Sequence, residues 1–187
     1  MATHQMAMSG RPPVGGSFRL IDHHGAPVTE ESYRGRFVLI FFGLTHCRVV
    51  CPRALSRLSA VLERLGPLAD QFHALYITVD PERDPPEVMR TFLEKAYPRF
   101  TGLTGTRAEI EAAKRAFRVF AERRPDPQEP DGYIVPHTAI SHLLDPNGQY
   151  AAHFTDAVDD IAVTDHLRTL VLRFSLAVSP VNSPAKT

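Results

Sequence analysis

A chain of 187 residues, 43% hydrophobic and 22% charged, is long enough to bury the core of one ordinary domain and too short for two comfortable ones. Its 21 basic and 21 acidic residues cancel, and no block of Lys and Arg stands out, which excludes a dedicated binder of nucleic acid or of an anionic membrane surface. No apolar run is long enough to cross a bilayer and the first residues lack signal-peptide character, so the chain reads as a soluble domain that meets a membrane only through an anchor absent from it.

In chain order, residues 1–16 are polar, contain Pro12, Pro13, Gly15 and Gly16, and read as a flexible leader in which His4, Met6 and Met8 are tail residues rather than ligands. Residues 18–22 are a strand candidate that turns at His23-His24-Gly25, where adjacent histidines are expected to be solvated. The chain returns through Pro27, Val28 and Thr29, which makes an N-terminal β-hairpin. Phe37 to Gly43 form a fully apolar run of buried-strand type. The stretch Thr45-His46-Cys47-Arg48-Val49-Val50-Cys51-Pro52 follows, and then an amphipathic segment over 53–65. There Leu55, Leu58, Val61, Leu62 and Leu65 fall at helical spacing and Gly66-Pro67 supplies the stop. A second apolar run over 74–79 completes a βαβ unit with parallel strands.

Pro85-Pro86-Glu87 opens a helix over 88–97, since proline is tolerated in a first turn and Glu favours that end. Thr106, with Glu109 three residues on, caps another helix whose apolar face is Ile110, Ala113, Ala116, Phe117 and Phe120. Residues 123–132, rich in proline and acid, are a surface loop. Segments 138–144 and 149–154 flank Asp145-Pro146-Asn147-Gly148, a hairpin signal. Asp159-Asp160 begins a last helix with Ile161, Leu167, Leu170, Val171 and Phe174 inward, and residues 179–187 are a loose tail. This order predicts one α/β domain over 17–178: a central mixed sheet with helices on both faces and the cysteine loop at a strand's C-terminal end, where open α/β sheets place their sites.

Cys47 and Cys51 are the only cysteines. Free cysteines are commonly small core hydrophobes, but this pair stands at a strand-to-helix junction beside Pro52. With helical chain between them, sulfurs at i and i+4 share one face and can close a disulfide or bind one soft metal ion. A helix start also favours thiolate over thiol. A closed zinc site wants four protein ligands and is a poorer fit to two cysteines without a CxxC pair. Asp80, Glu82 and Asp84, punctuated by Pro81, Pro85 and Pro86, read as a strand-end turn and helix start rather than a hard-cation site, with one of them free to approach the cysteine loop.

Five separated blocks carry a family resemblance: residues 35–47 leading into the first cysteine, Cys51-Pro52, the acidic turn at 78–84, the segment 100–105, and His137 followed by Asp145-Pro146-Asn147-Gly148. On these the chain, from about residue 18 to 174, resembles the Sco (SenC) family of thioredoxin-like copper-handling proteins linked to cytochrome c oxidase assembly. The resemblance implies a thioredoxin-like fold and a copper metallochaperone with Cys47, Cys51 and His137 as metal ligands. It also implies a copper-accepting oxidase subunit and a thiol reductant as partners, at the periplasmic face of a bacterial inner membrane or its equivalent. The donors agree with that implication: two thiolates suit Cu(I), and an added imidazole makes a site that also holds Cu(II). His46 is the other histidine candidate.

Two departures matter. The family loop reads Cys-Pro-Asp/Asn-x-Cys-Pro, whereas Arg48 and Val49 stand here; a polar partner is lost and a positive charge expected to favour thiolates is gained. Pro136 replaces the family's Asp before the histidine, and a proline facing a dithiol makes Val135-Pro136 a candidate cis bond of the kind thioredoxins carry. These departures keep open an alternative reading, a thiol–disulfide oxidoreductase with Cys47 and Cys51 as its redox dithiol; a copper sensor is a third class.

Overall fold

The computed structural model describes residues 14–178. Arg19–Asp22 (β1) and Pro27–Thr29 (β2) form the expected N-terminal hairpin, with Leu20 opposite Val28. Phe37–Gly43 (β3) is buried along its whole length, and Val50–Leu65 (α1) follows the cysteine loop. Phe72–Thr78 (β4), Pro86–Ala96 (α2), Phe100–Thr104 (β5) and Arg107–Phe117 (α3) come next. The short strands Arg124–Pro125 (β6) and Tyr133–Ile134 (β7) pair as a separate ribbon. Ile140–Leu144 (β8), Tyr150–Thr155 (β9) and Asp160–Val178 (α4) complete the described chain.

The main sheet has seven strands in the order β2-β1-β5-β4-β3-β8-β9. β3, β4 and β5 run parallel, whereas β1, β8 and β9 pair antiparallel to their neighbours, so the sheet is mixed. The crossovers through α1 and α2 step in the same direction across the sheet, and right-handedness then puts both helices on one face. Phe41 and Tyr76, which pair across β3 and β4, point to that face, and Phe92 of α2 stacks on Tyr76 at 6.0 Å. α4 packs beside α1. Phe42 points the other way and meets Phe117 of α3 at 5.6 Å, so helices cover both faces.

Local sequence signals act as their chemistry requires. Thr106 and Glu109 form a reciprocal capping box at the start of α3. Asp145 accepts from the backbone N–H groups of Asn147 and Gln149 and so closes the β8–β9 turn. Three expectations are corrected. α3 ends at Phe117, after which Arg118 takes a left-handed conformation; Phe120 therefore leaves the helix face and is exposed. In α4 the buried apolar positions are Val163, Leu167 and Val171, one turn apart, which turns Ile161 out to solvent. The adjacent histidines are not both solvated: His23 is buried and its Nδ1 accepts from the Gly102 N–H at 2.7 Å.

His4, Met6, Met8 and the tail after residue 178 lie outside the described residues. Within the expected leader, Gly15 donates to the Ala116 carbonyl at 2.9 Å. No helix among the described residues is long and apolar enough to cross a membrane.

Candidate metal centre

The cysteine loop leaves the C-terminal end of β3, which lies between parallel β4 and antiparallel β8, and turns at once into α1. The helix begins at Val50, three residues before the sequence periodicity starts, so Cys51 sits in its first turn and Cys47 stands outside it. The pair thus meets at the helix entrance and not along a helix side. The Cys51 N–H, one of the donors a helix start leaves unpaired, points to the Cys47 sulfur at 3.4 Å. Donation from the Cys51 thiol, helped by the N–H groups of Val49, Val50 and Cys51, lowers the Cys47 pKa to about 5 despite partial burial. The same thiol-to-thiolate bond and burial push Cys51 well up, so the metal-free dithiol is one half-buried thiolate above one buried thiol.

Arg48 is not among the main causes of that shift. Its guanidinium turns to Glu129 at 3.2 Å, so the expected aid to the thiolates comes instead from backbone N–H groups and the neighbouring thiol.

Asp84 holds the loop from below. Fully buried, it accepts from the Thr45 N–H (3.1 Å), the Thr45 hydroxyl (2.5 Å) and the Thr78 hydroxyl (2.6 Å). Burial raises its pKa, and the threonine hydrogen bonds oppose the rise. The acidic turn is therefore a strand-end support, with Asp84 the member that reaches the cysteine loop.

His137 arrives from the other side of the sheet. It precedes β8, which pairs with β3 through Phe41 opposite Ser141, and an isolated bridge joins it to Ala121. Its Nε2 lies 3.5 Å from the Cys51 sulfur, while Nδ1 lies 3.0 Å from the Val135 carbonyl oxygen. A carbonyl can only accept, so Nδ1 carries the proton and donates; the Nε2 lone pair is left facing the sulfur. Tying the outer ring nitrogen to a carbonyl is the usual way a metal-binding imidazole is oriented. His46, the rival candidate, sits between Asp84 (3.8 Å) and Asp131 (3.9 Å) and contacts the Thr45 hydroxyl, so its ring nitrogens are engaged away from the sulfurs.

The Val135–Pro136 bond is trans, contrary to the expectation of a cis bond. Trans is the better isomer unless a tight turn demands otherwise, and here the chain is extended. Pro136 accepts from Glu122 N–H at 3.1 Å and Thr138 donates to Phe120 at 2.8 Å, so the segment lies as a strand-like strip along residues 120–122.

A clamp that sequence reading missed fixes this strip. Tyr133 is held between the guanidiniums of Arg83 and Arg123, each 3.9 Å from the ring centroid. Its hydroxyl donates to buried Asp80 at 3.1 Å, and Asp80 also accepts from Arg83 at 2.6 Å. These residues come from distant segments, so no spacing in the sequence announces them. The segment read as a plain surface loop folds back as the β6–β7 ribbon and, with Cys47, Val49, Ile134, Pro136 and His137, walls a cleft of about 410 Å³.

Cys47, Cys51 and His137 do not all have their ligand atoms within 4.8 Å of one another; among the described residues one group does. Ligand atoms of His23, His24 and Glu94 all lie within 4.8 Å of one another at the turn after β1.

A mixed sheet with a Cys-x-x-x-Cys loop at the C-terminal end of an inner strand and a histidine lone pair facing the inner sulfur places a dithiol beside a histidine on a thioredoxin-like fold. The SCO1/SenC family profile matches residues 6–172, and the chain belongs to that family. Protein sco1 of Schizosaccharomyces pombe is 40% identical over 152 residues, 80% of this chain and 57% of that protein. The mitochondrial SCO1 homolog of Mus musculus is 41% identical over 147 residues, 78% of this chain and 51% of that protein. The chain thus spans about half the length of these relatives. Among solved structures, Bradyrhizobium japonicum ScoI with copper bound matches with a TM-score of 0.76 and 38% identity, over 83% of this chain and 98% of the other. Yeast Sco1 with copper bound matches at 0.77 and 31%, over 94% and 96%.

Proposed function

We propose that this protein is a copper-binding metallochaperone that carries Cu(I) or Cu(II) on Cys47, Cys51 and His137 and serves the assembly of cytochrome c oxidase. The observation that carries the reading is the aim of the His137 Nε2 lone pair at the Cys51 sulfur, with Cys47 beside it at the helix entrance. Two thiolates supply the soft pair that Cu(I) prefers; the imidazole adds the borderline donor that Cu(II) needs. Relatives solved with copper bound support the choice of ion.

The chain's own residues divide the work. Cys47, half exposed and already a thiolate, is the donor an incoming ion meets first, and Cys51 must release its proton on binding. His137 enters with its proton fixed on the outer nitrogen, so no proton has to move for Nε2 to bind. The cargo leaves by ligand exchange to a copper-accepting oxidase subunit, which approaches over the exposed apolar side chains of Val49 and Ile134 at the cleft. A thiol reductant keeps the pair competent, since a Cys47–Cys51 disulfide offers no thiolate. The working location is the periplasmic face of a bacterial inner membrane or its equivalent, with attachment through an anchor outside this chain.

A second reading, thiol–disulfide oxidoreductase, is favoured by the contrast between the cysteines: a half-exposed thiolate to attack and a buried thiol to resolve. Anaerobic competition with a Cu(I) chelator separates the two. The copper reading expects one Cu(I) per reduced chain and slow insulin reduction by the metal-free dithiol. Weak copper binding together with insulin turnover near that of a thioredoxin would replace it with the second reading.

A further inference from the structure

The site as described leaves one buried polar group at its floor unused. Tyr76 lies in the middle of β4, fully buried, its ring stacked on Phe41 at 6.3 Å and on Phe92 at 6.0 Å. Its hydroxyl has no aligned hydrogen-bond partner among the described atoms. Burying a hydroxyl without a partner is unfavourable, and a phenylalanine would stack here equally well without burying one.

The reason lies on the neighbouring strand. A Cβ at Gly43, the last residue of β3, would fall 2.5 Å from the Tyr76 hydroxyl oxygen and 2.8 Å from the Cys51 sulfur. Oxygen and sulfur therefore border the same small space, which only a residue without a side chain leaves open, and the two groups interact across it. A neutral thiol is a weak acceptor that does not draw an O–H into line. A thiolate is a charged acceptor and does.

We infer that the Tyr76 hydroxyl donates a hydrogen bond to the Cys51 sulfur whenever that sulfur is a thiolate or a metal ligand, and that Tyr76 is thereby a positioning residue that weakens Cys51 as a copper donor. The consequence for copper rests on the function proposed above; the hydrogen bond itself requires only a soft metal on the dithiol. A hydrogen bond to a ligating sulfur withdraws electron density from it, which costs Cu(II) more than Cu(I) and raises the potential of the couple. Tyr76 therefore biases the site toward Cu(I), against the pull of His137 toward Cu(II).

The test uses Tyr76→Phe, which keeps the ring stack and removes only the hydroxyl, in two arms. In the first, Hg(II), a probe that binds dithiols whatever their function, is added to protein carrying ¹³Cζ-tyrosine. The Tyr76 resonance, assigned by its loss in Tyr76→Phe, is expected to move on loading. In the second, Tyr76→Phe is expected to shift the sulfur-to-Cu(II) charge-transfer band to lower energy and to raise the ratio of Cu(II) to Cu(I) affinity about tenfold, as loss of one charge-assisted hydrogen bond implies. Gly43→Ala, whose methyl would sit between the two groups, is expected to move the band the same way. A Tyr76 resonance that stays put on Hg(II) loading overturns the inference. So does a copper-loaded Tyr76→Phe protein with the wild-type band and affinity ratio. A resonance that moves in a protein that does not bind copper upholds the hydrogen bond and refutes the copper reading instead.

Discussion

His137 and His23 both tie Nδ1 to the backbone, and the polarity of the tie separates the ligand proposed above from a structural residue. His137 Nδ1–H donates to the Val135 carbonyl, which leaves a lone pair on Nε2 facing the Cys51 sulfur at 3.5 Å. His23 Nδ1 accepts from the Gly102 N–H, so the proton of its neutral ring sits on Nε2, 3.0 Å from Nε2 of His24. Burial, and then His24, lower the pKa of His23 and keep the ring neutral. With Glu94 the two histidines form a compact cluster of ligand-type residues, yet Nε2 of His23 has a proton where a metal would need a lone pair. Proximity and residue type alone do not make a metal site; the second hydrogen bond decides which nitrogen is available.

The largest expected effect tests the sulfurs on which that contrast depends. Cys47→Ser or Cys51→Ser should lower Cu(I) affinity by orders of magnitude, because two-coordinate thiolate binding loses half its donors. Chelator competition with both variants near wild-type affinity would remove the site assignment. Next comes the histidine contrast itself. His137→Ala should weaken Cu(II) binding by at least the roughly tenfold to hundredfold that loss of an outer-sphere partner already costs, with a smaller effect on Cu(I). His23→Ala should leave both ions bound as in wild type, and a loss of copper in that variant would break the comparison.

A third histidine sharpens it from the side of stability. His142 is buried between Phe42 and Phe117, its Nε2 has no partner among the described residues, and burial lowers its pKa from 6.5 to about 4. The folded state therefore keeps His142 neutral where the unfolded chain is already protonated. Its contribution is complete above pH 6.5 and lost as pH falls through about 4, a difference of about 3 kcal/mol. Urea unfolding of wild type and His142→Phe at pH 7 and pH 4 checks this: the variant should lose less stability on acidification, and parallel losses would contradict it. The smallest effect is the structural role of His23. His23→Ala strands the buried Gly102 N–H and should cost about 1–3 kcal/mol at pH 7, read from the same urea curves.

What the sequence disclosed was what neighbouring residues decide among themselves. The apolar runs made β3 and β4, Thr106 and Glu109 capped α3, and Asp145-Pro146-Asn147-Gly148 turned the β8–β9 hairpin, each through contacts within a few residues. The cysteine pair was legible for the same reason, although the helix began early enough to take in Cys51 and leave Cys47 at its entrance. Contacts between distant segments stayed hidden. The Arg83–Tyr133–Arg123 stack joins three separate stretches, and the Tyr76 hydroxyl and the Cys51 sulfur border one space only because Gly43 on the next strand has no side chain. Nor does a histidine's available nitrogen appear in any motif, since it is set by what the fold presents to Nδ1 of His23 and of His137.

The central claim is that His137, and no other histidine, completes a copper site on the Cys47–Cys51 dithiol. Pulsed EPR on the Cu(II) protein with ¹⁵N-labelled histidine tests it most directly. The account predicts a single coupled imidazole nitrogen in wild type, retained in His23→Ala and His46→Ala and lost in His137→Ala. The same nitrogen coupling persisting in His137→Ala would contradict it.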